Sequence, residues 1–137
     1  MISPSADDIK IQVQQALKED MGSGDVTAAL IPAEKSATAQ LICREKAILC
    51  GCNWFEMAFM VLNPEIQVQW FFKESQQINE NDIVCEIKGN ARHILTAERT
   101  ALNFLQTLSA TASQTFLYAN AIKETTCKIL DTRKTIP

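Results

Sequence analysis

The sequence NARHILTAERTALNFLQTLSATASQTFLYANAIKET occupies residues 90–125, and its apolar side chains recur at the spacing of an α-helix. In its first part, one apolar stripe is formed by Ile94, Ala97, Ala101, Leu105 and Leu108. The span is longer than most helices of globular proteins. We therefore predict two helices here, with a break near residues 109–111.

Arg99 is the candidate functional residue of this stretch. At about 100° per residue, Arg99 lies roughly 160° from Ala101 and so almost opposite the apolar stripe. Leu95 and Leu102 make the flanks of the helix apolar as well. An arginine in this position would reach a neighbouring surface. The alternative is an ordinary exposed arginine, and helical geometry alone does not choose between the two.

The residues before this stretch mix helices with strands. Ser5 and Asp8 form a weak capping box for a first helix that should end near residues 19–22. Small and apolar side chains alternate with polar ones over residues 37–49, which predicts a half-buried strand with a bend in its middle. Residues 19–27 hold two glycines and three acids. Such a loop could bind a cation, but we favour a loop that docks the helix onto a sheet.

A second helix and several short strands complete this part of the chain. Asn53 and Glu56 predict an Asn-x-x-Glu cap, and Pro64 stops the helix. Its side chains are too apolar for a surface helix, so it should be buried against a sheet and a further surface, such as a partner subunit. Alternation over residues 66–72 and 83–87 predicts strands. The fold class is therefore α+β.

Composition narrows the range of functions. The chain has 13 Lys plus Arg against 16 Asp plus Glu, a net charge of −3, which argues against a nucleic-acid partner. No apolar run is long enough to cross a membrane, and the first residues lack the pattern of a secretory signal. We expect a cytoplasmic protein whose five cysteines are buried free thiols.

Few residues offer catalytic or metal chemistry. His93 is the only histidine, and we interpret it as a surface or hydrogen-bonding residue. No serine lies in a nucleophile-elbow pattern, so a hydrolytic triad is not supported. Residues 131–137 read DTRKTIP and follow the apolar pair Ile129 and Leu130. An apolar run that gives way to Arg133 and Lys134 predicts a buried strand that leads into an anion-binding loop.

Three stretches together resemble quinolinate phosphoribosyltransferases, also called nicotinate-nucleotide pyrophosphorylases (carboxylating). The first, second and third motifs are Glu19-Asp20-x-Gly22-x-Gly24-Asp25-x-Thr27, Glu98-Arg99-x-x-Leu102-Asn103-x-x-x-x-x-Ser109 and Asp131-Thr132-Arg133-Lys134-Thr135-x-Pro137. Each motif alone is only moderately specific, whereas their order and spacing together are very specific. The resemblance covers the whole chain but only about the first half of a family member.

The resemblance implies a two-domain α+β fold. Residues 1–110 would form an open β-sandwich domain with helices. Residues 111–137 would supply the first helix and the first strand, at residues 128–132, of an incomplete α/β barrel. The family's later basic residues, and its acidic residues for ribose and metal, would lie beyond Pro137.

The resemblance also implies an activity in NAD biosynthesis. Such enzymes convert quinolinate and phosphoribosyl pyrophosphate to nicotinate mononucleotide, pyrophosphate and carbon dioxide, with Mg²⁺. They are homodimers or larger. Arg99 matches an arginine that crosses the interface to a substrate carboxylate, and Thr132, Arg133 and Lys134 match a substrate-binding loop. Arginine suits this task because its planar fork binds carboxylates and phosphates in bidentate fashion.

Two alternatives remain open. The chain could be a non-catalytic α+β dimerisation module, or its fold could serve a transferase acting on another aromatic carboxylate. As the amino-terminal part of such an enzyme, the 137-residue chain is expected to be inactive alone.

Overall fold

The computed structural model describes residues 4–22, 24 and 26–130. The elements, in chain order, are α1 (Ala6–Met21), α2 (Val26–Ala29), β1 (Ser36–Ile42), β2 (Ala47–Ile48), α3 (Cys52–Leu62), β3 (Gln67–Trp70), β4 (Gln77–Ile78), β5 (Ile83–Asn90) and α4 (Ala91–Ile122). Helices and antiparallel strands are interspersed along the chain, so the predicted α+β class is confirmed.

Helix α1 begins and ends where the sequence predicts. The Ser5 hydroxyl accepts a hydrogen bond from the Asp8 amide at 3.1 Å, and the Asp8 carboxylate accepts one from the Ser5 amide at 3.2 Å. This capping box satisfies two amides that no helical carbonyl can reach. The buried face of α1 consists of Ile9, Val13 and Leu17.

The strands form two small sheets. The larger has the order β1-β5-β3 with antiparallel neighbours, and β2 pairs with β4 in the smaller. The predicted strand over residues 37–49 is divided into β1 and β2, so the expected bend is confirmed. At the bend, the Cys43 amide donates to the Asp82 carbonyl at 2.9 Å, and the Asn81 amide donates to the Cys43 carbonyl at 2.9 Å. These bonds tie the bend to the turn before β5.

Helix α3 is capped differently from the prediction. It begins at Cys52, and its N-cap is Gly51, which makes no side-chain capping bond. The Glu56 carboxylate instead accepts a hydrogen bond from the Trp70 indole. Glu74, from the turn before β4, takes over the capping role described below.

The core lies between α3 and the elements packed against it. Helix α3 contacts both α1 and α4. The Phe55 ring packs edge-on against Phe59 and Trp70, with ring centroids 5.1 and 5.3 Å apart. The expected burial of α3 holds for Phe55, Ala58 and Phe59, whereas Met60 remains 46% exposed.

Helix α4 is one continuous helix from Ala91 to Ile122, so the predicted break near residues 109–111 is wrong. The stretch contains no glycine or proline that would stop a helix. Its hydroxyl side chains bond back to carbonyls of the preceding turn, Thr111 to Thr107 at 3.0 Å and Ser113 to Ser109 at 2.7 Å. Hydroxyls satisfied in this way are compatible with a helix interior. The predicted domain boundary after residue 110 falls inside α4.

The last described residues follow α4 without regular structure. Residues 128–130, the described part of the strand predicted at 128–132, form no strand in the structure. A barrel strand needs hydrogen-bonded neighbours on both sides, and the described part of the chain provides none for these residues.

Two predictions from composition concern the cysteines and membrane-spanning helices. All five cysteines are free thiols, as predicted; Cys52 and Cys85 are buried, but Cys127 is exposed. Among the described residues, no helix combines the length and apolar character that crossing a membrane requires.

Candidate functional site

Arg99 lies on the exposed face of α4. Its side chain is 76% exposed, while Thr100 and Ala101 on the other face are buried. The guanidinium Nη1 donates to the Asp20 carboxylate Oδ1 at 3.2 Å. The structure therefore supports the prediction that Arg99 projects away from the core, and it adds a partner from the first motif.

Asp20, the partner of Arg99, lies in the last turn of α1. Its side chain is only 26% exposed, in contrast to that of Arg99. A cation is favoured near this end of a helix because the free carbonyls carry partial negative charge. The ion pair thus brings the first and second motifs together in space, although 79 positions separate the two residues.

Arg92 is a second arginine of α4, and it contacts the backbone at and just after α2. Its guanidinium donates to the Ile31 carbonyl through Nε and to the Ala29 carbonyl through Nη2, the latter at 3.4 Å. Asn90 adds a bond from its side-chain amide to the Ala33 carbonyl at 2.6 Å. These contacts fasten the segment after α2 to the start of α4.

Sequence reasoning missed Arg92. One signal was present, because a cation in the first turn of a helix opposes the helix dipole and so suggests a partner outside the helix. A second signal is its spacing of seven residues from Arg99, which places both arginines on one side of α4.

His93 is a hydrogen-bonding residue, as predicted. Its Nδ1 lies 3.2 Å from the Asn63 side-chain nitrogen, and its amide donates to the Asn90 N-cap oxygen at 3.3 Å. It connects the start of α4 with the end of α3, which is a structural role.

Ser109, the last residue of the second motif, anchors α4 to the segment between β2 and α3. Its hydroxyl accepts from the Cys50 amide at 3.0 Å and lies 3.1 Å from the Cys50 carbonyl, to which it can donate. One turn later, the Ser113 hydroxyl accepts from the Ile48 amide at 2.8 Å. These bonds explain the serine at position 109 by its structural role in fixing α4.

Glu74 caps α3 from a distant turn. Its two carboxylate oxygens accept from the Gly51 and Cys52 amides at 2.8 and 3.1 Å. Burial raises the pKa of Glu74, but hydrogen bonds from these amides and from the Cys50 and Cys52 thiols outweigh it, so the pKa lies below its usual value. A carboxylate at a helix N-terminus is also favoured by the dipole.

The thiols beside Glu74 are not nucleophiles. Burial, with the neighbouring Glu74 carboxylate, raises the pKa of Cys50 to about 11 and raises the pKa of Cys52 as well. Because the thiolate is the reactive form, both thiols are inert at neutral pH. Cys50-Gly51-Cys52 is thus part of the helix start and not a reactive site.

Replacing Glu74 with glutamine should lower the free energy of unfolding by about 1–2 kcal/mol at pH 7, because charge-assisted bonds to the helix amides are lost. The lowered pKa means that the ionised carboxylate stabilises the fold above its usual pKa and that this contribution is lost as the pH falls below that value. Urea unfolding from pH 7 to pH 3 measures both effects. If acidification lowered the free energy of unfolding of the wild type and of Glu74→Gln equally, the capping role of the ionised Glu74 carboxylate would be contradicted.

The other predicted site residues, Thr132, Arg133 and Lys134, lie outside the described residues. Of the predicted site residues, the structure describes Arg99 alone. Among the described residues, no group of three or more histidine, cysteine or carboxylate side chains is arranged to hold a metal ion.

Comparison with known proteins places these features in a family. Residues 25–109 match the sequence profile of the quinolinate phosphoribosyl transferase N-terminal domain. Over 132 residues the chain is 37% identical to the chloroplastic nicotinate-nucleotide pyrophosphorylase (carboxylating) of Arabidopsis thaliana, a match that covers 95% of this chain and 37% of that protein.

Solved structures show the same similarity. The nicotinate-nucleotide pyrophosphorylase of Francisella tularensis is 41% identical with a TM-score of 0.92, over 98% of this chain and 49% of that one. NadC of Streptococcus pyogenes is 35% identical with a TM-score of 0.93, over the whole of this chain and 49% of its own. The chain spans less than half the length of these relatives. It belongs to the quinolinate phosphoribosyltransferase family and corresponds to the amino-terminal part of its members.

Proposed function

We propose that this chain is the amino-terminal part of an enzyme that transfers a phosphoribosyl group from phosphoribosyl pyrophosphate to quinolinate. The ring nitrogen attacks the anomeric carbon, and the bond from that carbon to pyrophosphate breaks. Carbon dioxide then leaves the ring, a proton takes its place, and nicotinate mononucleotide results. The observation that carries the proposal is Arg99, an exposed guanidinium at the family's motif position that is held beside the first motif.

The charges of the reactants explain why an arginine is needed. Quinolinate carries two adjacent carboxylates, and its co-substrate carries a phosphate and a pyrophosphate. The reaction must bring these anions together, and fixed cations lower the energy of doing so in a site that excludes water. An arginine fork fits one carboxylate through two parallel hydrogen bonds. Arg133 and Lys134 would supply further positive charge.

The exposure of Arg99 supports a site shared between subunits. Its side chain leaves the surface of α4, and it lines neither the cavity beside Ser36 and Gly89 nor the one beside Leu41 and Leu105. A carboxylate bound there needs walls from another surface. A homodimer would provide them if each subunit donated Arg99 to the barrel of its neighbour, because a twofold interface repeats every contact.

Mg²⁺ belongs to the proposal as the ion that neutralises the leaving pyrophosphate. We place its ligands outside the described residues. A cytoplasmic location likewise stays a prediction, since the name of the Arabidopsis relative assigns that protein to the chloroplast.

We expect no turnover from the 137-residue chain alone. Activity should appear in a fusion in which this chain replaces the matching half of the Francisella tularensis protein, here called the fused enzyme. The measurement is formation of nicotinate mononucleotide from both substrates with Mg²⁺, and the Francisella carboxyl-terminal half alone is the control.

Either of two results would count against this proposal. Turnover by the chain alone would show that it contains a complete site. A folded fused enzyme that binds neither substrate would show that this chain does not take part in quinolinate phosphoribosyl transfer. Assay of the fused enzyme with other aromatic carboxylates tests the alternative that the enzyme acts on an aromatic carboxylate other than quinolinate.

A second candidate function is self-association without catalysis. Phe116, Leu117 and Tyr118, near the end of α4, are 43%, 59% and 59% exposed, a run of apolar surface that is unusual for a helix in water. Sedimentation of the chain at several concentrations tests this candidate. A monomer at every concentration would exclude it.

A further inference from the structure

We propose that Asp20 positions Arg99 for its carboxylate ligand, which makes Asp20 a positioning residue of the shared site. The inference rests on the proposed function. It also accounts for Asp20 in the first motif, which accepts a hydrogen bond from Arg99 of the second motif. Asp20 would not touch substrate; it would act through the guanidinium.

Burial shows which partner of the ion pair is fixed. The Asp20 side chain is only 26% exposed and sits in the last turn of a helix that packs against α3 and α4. Arg99 is 76% exposed and is attached through a long, flexible side chain. The shorter and less exposed carboxylate therefore sets the place of the guanidinium.

The contact with Asp20 does not use the side edge of the Arg99 guanidinium. Asp20 takes a hydrogen bond from Nη1, and no bond from Nε or Nη2 of Arg99 is found within the described ranges. Nε and Nη2 form the side edge of the planar fork, on which a carboxylate accepts two parallel bonds. Asp20 thus occupies one corner and presents the opposite edge to a ligand.

Two effects of Asp20 on binding have opposite signs. Holding Arg99 in place removes the entropy loss that binding would otherwise incur, an effect worth about three- to tenfold in affinity for one long side chain. The negative charge of Asp20 also repels an anionic ligand. That repulsion acts across the guanidinium, whose positive charge lies between the two carboxylates and offsets most of it. We therefore expect the positioning effect to be the larger one.

The ion pair contributes little to the stability of the fold, since exposed pairs rarely do. Asp20→Asn should therefore fold normally, which makes it a clean test. Asp7→Asn is the matched control, because it makes the same substitution at an exposed position on the same helix.

The first experiment measures the mobility of Arg99 in the 137-residue chain by ¹⁵N relaxation of its Nε–Hε group, assigned from the signal lost in Arg99→Lys. The order parameter should fall below about 0.6 in Asp20→Asn and stay at the wild-type value in Asp7→Asn. An order parameter unchanged by Asp20→Asn would overturn the proposal.

The second experiment measures kinetics of the fused enzyme. Asp20→Asn should raise KM for quinolinate about three- to tenfold with kcat within about twofold, and Asp20→Glu should recover part of the loss. In an Arg99→Ala background, Asp20→Asn should have no further effect, because residues that act as a unit are not additive. A fall in KM, or no change, would overturn the proposal.

The two proposals fail in different ways. Full activity of Arg99→Ala would remove Arg99 from the site and would refute that part of the proposed function. Impaired Arg99→Ala together with an unchanged KM in Asp20→Asn would leave the proposed function intact and refute only the role of Asp20.

Discussion

Replacing Arg99 with alanine is expected to reduce kcat/KM of the fused enzyme about a hundredfold or more while leaving the protein folded. Truncating one partner of a buried, hydrogen-bonded charge pair costs 2–5 kcal/mol or more, and about 2.8 kcal/mol corresponds to a hundredfold. In the free chain the Arg99 side chain is 76% exposed and makes one surface ion pair. Its loss should therefore change stability by less than about 1 kcal/mol.

Two further variants show whether charge or geometry matters. Arg99→Lys keeps the positive charge but loses the planar fork, so most of the loss should remain. Lys10→Ala removes a cation from an exposed position of α1 and should leave kcat/KM unchanged. Steady-state kinetics and thermal unfolding of all three variants give the comparison. Near-normal catalysis by Arg99→Ala would exclude Arg99 from the site.

Mixing two inactive variants tests whether Arg99 crosses the interface. If each site takes Arg99 from one subunit and Arg133 from the other, random dimers of Arg99→Ala with Arg133→Ala contain intact sites. They should recover about a quarter of the wild-type activity, because half of the dimers carry one intact site of two. If both residues served the same subunit, mixing would restore nothing.

The sequence predicted those parts of the fold that depend on local pattern. The 3.6-residue period identified α4, the capping box located the start of α1, and alternation located β1 and β5. Each of these signals lies within a few residues of the structure it specifies. The break predicted in α4 failed because it rested on the usual length of helices, whereas this stretch holds no glycine or proline and its hydroxyl side chains bond to the helix itself.

The contacts that build the candidate site could not be predicted, because they join residues far apart in the chain. Asp20 and Arg99 are separated by 79 positions, and Glu74 reaches the Gly51 amide across 23. No periodicity encodes such pairs. Motif resemblance selected Arg99, but only the structure shows that Asp20 accepts a hydrogen bond from its Nη1.

Gly51→Ala is expected to lower the free energy of unfolding of the chain by about 3 kcal/mol, a large part of the stability of a domain this size. Gly51 has φ +100°, a backbone conformation that side chains rarely adopt. An added Cβ would also lie 2.8 Å from Leu108 Cδ1 and 3.3 Å from Leu108 Cβ. Backbone strain of about 1–3 kcal/mol adds to overpacking of about 1–3 kcal/mol.

The close approach at Gly51 follows from the anchoring of α4. Ser109 bonds to both the amide and the carbonyl of Cys50, which brings Leu108 against the neighbouring glycine. The structure shows that a glycine is needed so that α4 can lie against the start of α3.

Urea unfolding of paired variants separates the backbone strain at Gly51 from the overlap with Leu108. Gly22→Ala is the control for strain alone, because Gly22 has φ +48° and a Cβ there would meet nothing within 4 Å. In a Leu108→Ala background, the cost of Gly51→Ala should fall to about 1–2 kcal/mol, since the overlap with Cδ1 is relieved while the backbone strain and the 3.3 Å approach to Cβ remain. If Gly51→Ala cost no more than Gly22→Ala, Leu108 would be free to move aside and the packing of α4 would not require this glycine.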